Sequence, residues 1–466
     1  MQMKGFLRLG LPSLFLVWAA WGCQQPARGE TRREHPNVLF IAIDDLRPEL
    51  GCYGALHIHS PHLDALAAGG LRFDRQYAQV PTCGASRFSM LTGRQPSKPM
   101  HYGNNAFRTL GNESGEGPLP MPNAFRQAGY TTVCLGKISH SHDGLDAKGH
   151  QQLPGAWDRT PTQPGVWKDN RYLLHGYAKG GRRTRDHRPI VEALDVADED
   201  YPDGMLAKQA IRELERLSTK AQPFFLAVGF FKPHLPFAAP KRYWDLYDRD
   251  KIPLSPHPDK PRHLPEVNGW VQSGEVTRNY TGAGYEDKHW SEAERRRLRH
   301  GYFACVSYVD AQVGKVLDTL DRLGHRDDTI VVVWGDHGWH LGDQALFGKH
   351  TTFEAALRST LILCVPGEKH AGASTRALVE SLDIYPTLAE LCGVEFPKGL
   401  PGRSFVPLFE DPTRAHRKLA RSWWRRGKRF AVSDRSDTER TVTWTQGLGG
   451  PVLDVEHYAF PQKEDR

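Results

Sequence analysis

The sequence predicts a doubly wound α/β fold built on a mostly parallel sheet, with a smaller α+β subdomain near its C-terminal end. Short, nearly continuous apolar runs indicate strands that are buried on both faces, and the first of them extends from Asn37 to Asp44. Stretches with helical spacing separate these runs, as in βαβ units. Several runs also end in charged residues, and open α/β sheets bind their ligands beyond the carboxyl ends of the strands.

The elements follow one another in a regular order. The first helix is predicted to begin at the capping pair Ser60-Pro61 and to end at Gly69-Gly70. A strand-like stretch from Leu71 to Val80 follows and leads into a turn and helix at Cys83. The later predicted strands are Thr131 to Leu135, Phe224 to Phe230 and Thr329 to Trp334, and the later helices are Pro122 to Ala128, Met205 to Leu217, Glu292 to Leu323 and Leu382 to Cys392.

Two long stretches and the C-terminal part stand apart from this alternation. Residues 148–189 and 253–288 are rich in Pro, Gly and His and are long for simple connections, so they either shape a binding site or are mobile. Residues 402–466 contain short strand-like pieces such as Thr441 to Thr445. We therefore expect a large domain over residues 36–401 and a small subdomain over 402–466.

Residues 1–29 have the pattern of an export signal. Lys4 and Arg8 precede an apolar run from Leu11 to Trp21, which is too short to span a membrane and is followed by Gly22-Cys23. Either a cleaved protein or a lipoprotein anchored through Cys23 fits this pattern. The predicted location is periplasmic, secreted or lipid-anchored at the cell surface.

The composition excludes some classes of function. The 61 basic and 54 acidic residues among 466 give a net charge of +7, which suits an anionic substrate but is too diffuse to indicate nucleic acid. The cysteines other than Cys23 and Cys83 form an odd set without paired short spacing, so neither a disulfide framework nor a zinc site is expected. These are Cys52, Cys134, Cys305, Cys364 and Cys392.

The stretch from Val80 to Pro96 is the most informative part of the chain. It places Cys83 just ahead of the predicted helix and Arg87 one turn into it. The N-terminus of a helix offers unpaired N–H groups and partial positive charge, which favour a bound sulfate or phosphate ester. The pattern therefore indicates a nucleophile held at an anion site.

Charged residues follow three of the predicted strands. Asp44-Asp45 closes the first strand, His234 follows the strand that ends at Phe230, and Asp336-His337 follows the strand that ends at Trp334. Carboxylates together with His337 and oxygens at position 83 could hold a hard divalent cation. The two pairs of acidic residues are thus the predicted metal ligands.

These residues carry a resemblance to a known family. Cys83, Ala85 and Arg87, with Leu91-Thr92-Gly93-Arg94, resemble the sulfatase signature C-x-[P/A]-x-R followed by L-T-G-R. The order of further motifs is similar to that of sulfatases of the iduronate-2-sulfatase type. The matching segments are Asp44-Asp45, Gly136-Lys137-Ile138-Ser139-His140, Lys232-Pro233-His234, Asp336-His337-Gly338-Trp339, Lys349, Leu382 to Leu388 and Ser404 to Leu408.

The resemblance implies an alkaline-phosphatase-like fold and a set of roles. In that family a converting enzyme, either a formylglycine-generating or an anaerobic sulfatase-maturating enzyme, oxidises the cysteine to formylglycine. One hydroxyl of the hydrated aldehyde attacks sulfur, and the other later expels sulfate. The implied calcium ligands are Asp44, Asp45, Asp336, His337 and the modified Cys83, although the same oxygen ligands can serve magnesium.

The same resemblance assigns the groups that act on the ester. Arg87, Lys137 and Lys349 neutralise the sulfate, as charge that spreads over its oxygens requires. Either His234 protonates the leaving oxygen and His140 takes a proton from the second hydroxyl, as we expect, or the two histidines exchange these roles. Trp339 either forms an apolar wall for a sugar ring, as its counterpart in the family does, or simply packs. Apart from the resemblance, His142, Asn105, Arg108, His340 and His350 are further candidate substrate contacts.

The sequence therefore predicts an exported hydrolase that releases sulfate from a carbohydrate, for example a sulfated uronic acid or a neighbouring sugar of a polysaccharide or glycosaminoglycan. One alternative is a phosphonate or phosphate-ester hydrolase of the same superfamily, because formylglycine and an anion site also serve phosphorus. A second is a surface protein that binds sulfated glycans without turning them over.

Overall fold

The computed structural model describes residues 35–110, 119–141, 151–262, 270–286 and 289–460, together with residues 264, 266 and 268. The predicted export signal and Cys23 lie outside these ranges. Among the helices that the structure describes, none is long and apolar enough to cross a membrane.

A seven-stranded sheet forms the centre of the fold. Its strands, in chain order, are β1 Asn37–Ile43, β2 Leu71–Phe73, β3 Thr131–Gly136, β4 Phe224–Phe230, β5 Thr329–Gly335, β6 Leu361–Cys364 and β7 Ser374–Thr375. Their spatial order is β7-β2-β6-β5-β1-β4-β3. The four strands β5, β1, β4 and β3 are mutually parallel, whereas β6 runs antiparallel to β5 and β2. The mostly parallel, doubly wound sheet predicted from the sequence is confirmed.

Helices cover both faces of this sheet. The α-helices are α1 Pro61–Ala68, α2 Cys83–Thr92, α3 Met121–Gln127, α4 Pro202–Ser218, α5 Lys241–Trp244, α6 Gly274–Thr277, α7 Glu292–Arg322, α8 Glu354–Leu357, α9 Ile384–Leu391 and α10 Pro407–Glu410. Alternate residues of β1 enter opposite cores: Leu39 packs in the core that α1, α4 and α7 cover, and Phe40 in the core that α2, α3 and α9 cover. Burial on both faces explains why β1 is continuously apolar.

A second sheet lies near the C-terminus. Its four antiparallel strands are β8 Ala420–Arg426, β9 Arg429–Arg435, β10 Glu439–Gln446 and β11 Val452–Ala459. One face places Trp423 and Phe430 in a cluster with Val80 and Ala85, which flank the start of α2. The Trp423 N–H donates to the Gln79 carbonyl at 2.6 Å, so β8 is fixed against the segment that leads to Cys83.

Short strand pairs complete the described secondary structure. They are His340–Leu341 with Phe347–Gly348, Val191–Leu194 with Phe237–Pro240, Tyr285–Glu286 with His289–Trp290, and the three-stranded set Arg358–Ser359, Gln76–Tyr77 and Val379–Glu380.

Two local expectations were wrong. The stretch Leu71 to Val80 is not one strand, because β2 joins the central sheet whereas Gln76–Tyr77 joins the three-stranded set. Ser60 also does not cap α1 through its side chain. Instead Asp310 on α7 accepts from the N–H groups of His62 and Leu63, at 3.3 and 2.8 Å. A cap supplied by a distant helix cannot be read from the sequence around α1.

Candidate active site

The register of the parallel strands brings charged residues together at one edge. Ile43, the last residue of β1, is level with Gly335 of β5 and with Phe230 of β4. Asp44 and Asp336 therefore leave the sheet side by side. Gly136 of β3 is level with Gly229 of β4. A Cβ at Gly229 would lie 2.1 Å from the Lys137 carbonyl oxygen, so the close approach of β4 to the segment after β3 requires glycine at position 229.

Asp45 turns sharply at this edge. Its φ of +61° lies in the left-handed region, which is uncommon for a residue other than glycine and costs free energy. Its N–H donates to Asp336 Oδ1 at 3.0 Å, and its carbonyl accepts from the Tyr302 hydroxyl at 2.8 Å. The strained turn aims the Asp45 carboxylate at the same space as Asp44 and Asp336.

Cys83 is the first residue of α2 and is buried next to these carboxylates. Its Sγ lies 3.1 Å from Lys349 Nζ, 3.3 Å from His337 Nε2 and 3.8 Å from Asp45 Oδ1. Burial, reinforced by the charge of Asp44, raises the pKa of the Cys83 thiol to about 12 against the opposing effect of the lysines. An unmodified Cys83 would therefore stay protonated at neutral pH and be a poor nucleophile.

Arg87 and Lys137 lie behind Cys83 and are fully buried. Arg87 Nε donates to Asp336 Oδ2 at 2.8 Å and its Nη2 to Asp44 Oδ1 at 3.2 Å, while Lys137 Nζ donates to Asp44 Oδ2 at 2.5 Å. Burial alone would raise the pKa of Asp44, but Lys137, His234 and Arg87 hold it well below its ordinary value. These two predicted sulfate contacts therefore pair with the carboxylates.

The acidic cluster has the composition of a cation site. Asp44, Asp45 and Asp336 each place an oxygen within 4.8 Å of the others, and Cys83 and His337 group with Asp45 in the same way. Asp45 Oδ2 is buried and accepts no hydrogen bond from the residues that the structure describes. Burial raises the pKa of Asp45 well above its ordinary value. A bound cation would satisfy this oxygen and favour the ionised carboxylate.

His337 is oriented in the way that a metal ligand requires. Its Nδ1 lies 2.9 Å from the Gly338 carbonyl, which can only accept, so the ring hydrogen lies on Nδ1. Its Nε2 faces Asp45 Oδ1 at 3.5 Å and Asp336 Oδ1 at 3.7 Å. A lone pair on Nε2 and two carboxylate oxygens thus converge. The donor set fits a hard divalent cation.

A cavity of about 390 Å³ opens in front of Cys83. Five of the predicted site residues line it: Cys83, His140, His234, Lys349 and His350. Both long loops reach it, since His175 and Arg183 come from residues 148–189 and Glu275 and Arg278 from residues 253–288. At these positions the loops form the wall of a pocket, which is one of the two roles predicted for them.

His234 is held on both sides of its ring. Its Nδ1 lies 2.6 Å from the Leu235 carbonyl and its Nε2 2.7 Å from Glu275 Oε1. Burial lowers the pKa of His234, against the opposing effect of Glu275. His234 also groups with Asp44 and Cys83 as a possible metal ligand, but both of its nitrogens are occupied in this arrangement. Its Nε2 points at Glu275, which also lines the cavity.

Four predicted substrate residues do not line the cavity in the part of the chain that the structure describes. Trp339 is buried, with Lys349 Nζ 5.0 Å from the centre of its ring. His340 is buried and bonded to the Asp343 carbonyl and Thr351 Oγ1. Asn105 and Arg108 are exposed, and Asn104, the residue before Asn105, lines the cavity instead. His142 lies outside the described residues.

Several lining residues escaped prediction from the sequence. They are Asn104, His175, Arg183, Glu275, Arg278 and Asn279. Glu275 contacts two of the predicted site residues, because its Oε1 lies 2.7 Å from His234 Nε2 and its Oε2 lies 3.6 Å from Lys349 Nζ. Burial alone would raise the pKa of Glu275, but Lys349 and His234 outweigh burial and hold it well below its ordinary value. Ser273 caps α6 by accepting from the Glu275 N–H. This capping residue is a local signal for the start of a helix, but it does not indicate that Glu275 lines a site.

The fold and the site define a member of a known enzyme class. The sulfatase family model matches residues 36–394, and the chain belongs to the sulfatase family. Iduronate 2-sulfatase of Mus musculus is 35% identical over 430 residues, which cover 84% of this chain and 75% of the relative. The human iduronate 2-sulfatase is 35% identical over 86% of this chain and 76% of its own length. Such relatives are sulfuric ester hydrolases, and this chain is an enzyme of that class.

Bacterial relatives and solved structures extend the comparison. A sulfatase of Formosa agariphila is 32% identical over 88% of this chain and 78% of its own length. The phosphonate monoester hydrolase of Agrobacterium radiobacter has a TM-score of 0.72 at 20% identity, over 92% of this chain and 90% of the other. A protein in complex with D-glucosamine-2-N,6-O-disulfate has a TM-score of 0.68 at 20% identity, over 91% of both chains. These structures share the fold.

Proposed function

We propose that this chain is an exported, formylglycine-dependent, calcium-binding sulfatase that removes sulfate from a sugar of a sulfated polysaccharide or glycosaminoglycan. One observation carries the proposal: Cys83 Sγ lies within 3.3 Å of both Lys349 Nζ and His337 Nε2, beside a buried cluster of three carboxylates. The same residue begins a helix that faces a cavity. This is the arrangement that attack on an anionic ester requires.

The charges of the buried groups support a divalent cation. When all six groups are ionised, the three carboxylates (Asp44, Asp45 and Asp336) balance the three cations (Arg87, Lys137 and Lys349), so these groups alone leave no net charge to attract an anion. A calcium ion held by Asp44, Asp45, Asp336 and His337 would give the site a net positive charge and polarise the ester oxygens. Magnesium would find the same oxygen ligands.

The first step falls to position 83. Formylglycine made from Cys83 by a converting enzyme would supply a hydroxyl nucleophile where the thiol is inert. Lys349 stands 3.1 Å from that position and remains charged, because burial alone would lower its pKa but Asp45, Cys83 and Glu275 raise it well above its ordinary value. Its ammonium is therefore placed to hold one sulfate oxygen.

Two of the histidines that line the cavity are assigned to the proton transfers. His234 Nε2, with its partner Glu275, is proposed to protonate the leaving oxygen, because a sugar alkoxide is a poor leaving group. His140 is proposed to accept the proton of the second hydroxyl at position 83. Arg87 and Lys137 are proposed to balance the charge of the carboxylates and so keep the site assembled.

Kinetics on paired esters test this proposal. Matured protein from the native host is given sulfate and phosphate esters of one phenol, and then a panel of sulfated mono- and oligosaccharides, and inorganic sulfate is measured. We expect kcat/KM to favour the sulfate ester and the sulfated sugars to be substrates. A clear preference for phosphorus would support the phosphonate or phosphate-ester hydrolase instead. Binding of sulfated sugars without any release of sulfate would indicate a binding protein.

A further inference from the structure

A second cavity lies directly beside the first. It has a volume of about 260 Å³ and lies between one face of the C-terminal sheet and the segment that leads into α6. Gly274 and His350 line both cavities, so the two are neighbours that share a wall. His350 has a φ of +54°, which holds its side chain at this junction at a cost in backbone strain.

Aromatic side chains form much of the second cavity. Trp424 of β8, Ala431 of β9 and Trp444 of β10 are level with one another, so two indoles flank one small side chain on the same face of the sheet. The Trp424 ring stacks on the His350 ring, with centroids 5.4 Å apart and planes at 21°. Trp270 and Phe353 complete the aromatic lining. The aromatic lining of the second cavity therefore starts at His350, which also lines the first cavity.

One cationic side chain and a group of hydrogen-bonded polar side chains lie next to these rings. Arg426 lines the cavity and donates through Nη1 to the Asn268 carbonyl at 2.8 Å. Among the described residues Arg426 has no carboxylate partner. The Asn268 amide donates to both oxygens of Glu456 at 2.9 Å, and Trp444 Nε1 donates to Glu456 Oε1 at 2.5 Å. Asn268, Glu456 and Trp444 therefore form hydrogen bonds with one another.

Arg426 is the cation that lines the second cavity. Its guanidinium matches the paired oxygens of a sulfate or a carboxylate. The second cavity thus offers apolar faces and a single cation to one ligand.

We propose that the second cavity is a subsite for the sugar that neighbours the sulfated residue, in an anionic glycan that occupies both cavities at once. This inference rests on the proposed function, which places the reacting sulfate at Cys83. Aromatic rings bind the apolar faces of a sugar, while Arg426 binds its sulfate or carboxylate group. The enzyme would then recognise at least two consecutive sugar residues, and its substrate is an oligosaccharide or a polysaccharide.

The test compares substrates of different length within each variant. Tetrasaccharides from heparin and dermatan sulfate and the matching sulfated monosaccharides are supplied to the matured protein, and kcat/KM is measured for each. The proteins are the wild type, Arg426→Ala, Trp424→Ala and the control Lys428→Ala, whose residue is exposed in the turn that follows β8 and does not line the cavity. Dividing kcat/KM for the tetrasaccharide by kcat/KM for the monosaccharide cancels any loss of activity that affects both substrates equally.

We expect a ratio of at least about ten in the wild type and in Lys428→Ala, falling to near one in Arg426→Ala, because a charge-assisted hydrogen bond is lost. A wild-type ratio near one, or an unchanged ratio in Arg426→Ala, overturns the subsite. Calorimetry with the same tetrasaccharides and the Cys83→Ala protein needs no turnover. If binding weakens about tenfold with Arg426→Ala while the wild type releases no sulfate, the subsite stands and the proposed function fails.

Discussion

Glu275 Oε1 lies 2.7 Å from His234 Nε2, and Glu275 Oε2 lies 3.6 Å from Lys349 Nζ. One carboxylate from a loop that carries no family motif thus connects the proposed acid with the cation nearest to Cys83. Because the Leu235 carbonyl occupies His234 Nδ1, the proton that this histidine can donate lies on Nε2. Glu275 is therefore a positioning residue that keeps this proton in place.

Replacing Glu275 with Gln tests that role. The variant should lose about tenfold to a hundredfold in kcat on a sugar sulfate, as expected when general acid catalysis is weakened. It should lose much less on 4-nitrophenyl sulfate, whose leaving group needs no protonation. Glu294→Gln is the matched control, because Glu294 pairs with Arg297 on α7 and lies outside the cavity. Equal losses on both substrates would indicate a structural role only.

Arg87→Ala should destabilise the protein strongly. The guanidinium is fully buried and pairs with both Asp44 and Asp336, so its removal leaves buried carboxylates without a partner. We expect the free energy of unfolding to fall by about 3–5 kcal/mol in urea titrations. Arg126→Ala removes a half-exposed pair with Asp158 and should cost about 1 kcal/mol or less. Similar losses in the two variants would contradict the proposed role of Arg87.

Calcium should stabilise the protein through Asp45. A ligand that binds only the folded state raises stability by about 2.7 kcal/mol at a hundred times its Kd, so Tm should rise with added calcium and fall after chelation. In Asp45→Asn the calcium-dependent shift should disappear, because one carboxylate charge and one oxygen ligand are lost. Asp321→Asn changes an exposed carboxylate on α7 and should keep the shift. A full shift in Asp45→Asn would exclude Asp45 as a ligand.

Asp310 should make stability depend on pH. Burial raises its pKa to about 7, although the N–H groups of Leu63 and His62 oppose this in part. A carboxyl group of ordinary pKa, about 3.9, is ionised in the unfolded chain while the folded state still holds its proton. The folded state thus binds more protons between about pH 4 and 7, and stability contributed by Asp310 is lost as the pH rises through this window.

Asp310→Asn isolates this effect. The slope of unfolding free energy against pH between 4 and 7 should become more positive than in the wild type, since each pKa unit corresponds to about 1.4 kcal/mol. Urea titrations at several pH values give this slope. Asp64→Asn on the neighbouring helix α1 is the comparison variant. If the slope is the same in Asp310→Asn and the wild type, Asp310 does not have a raised pKa in the folded state.

The sequence predicts the parts of the site that lie at strand ends. Asp44 and Asp336 follow continuous apolar runs, and the parallel register of β1 and β5 then places them side by side. Cys83 was expected just ahead of its helix and is the first residue of that helix. Local patterns suffice here because strand polarity alone determines which residues meet at the edge of the sheet.

The parts that come from loops could not be predicted in this way. Glu275 reaches the cavity because the segment before α6 is held by residues far away in the chain. Trp270 Nε1 donates to the Gln344 carbonyl at 2.8 Å, and the Phe347 N–H donates to Gln272 Oε1 at 3.2 Å. Trp339 follows the metal pair in sequence, where it could either form a wall for a sugar ring or simply pack, and the structure buries it next to Lys349. Position after a motif does not fix the direction of a side chain in an irregular segment.

Peptide mass spectrometry at Cys83, on protein from its native host that releases sulfate, decides whether this residue becomes formylglycine. We expect a Cys83 peptide about 18 Da lighter than the thiol form, the change that creates the aldehyde for covalent catalysis. Release of sulfate by a preparation in which every Cys83 peptide keeps its thiol would contradict the proposed use of formylglycine.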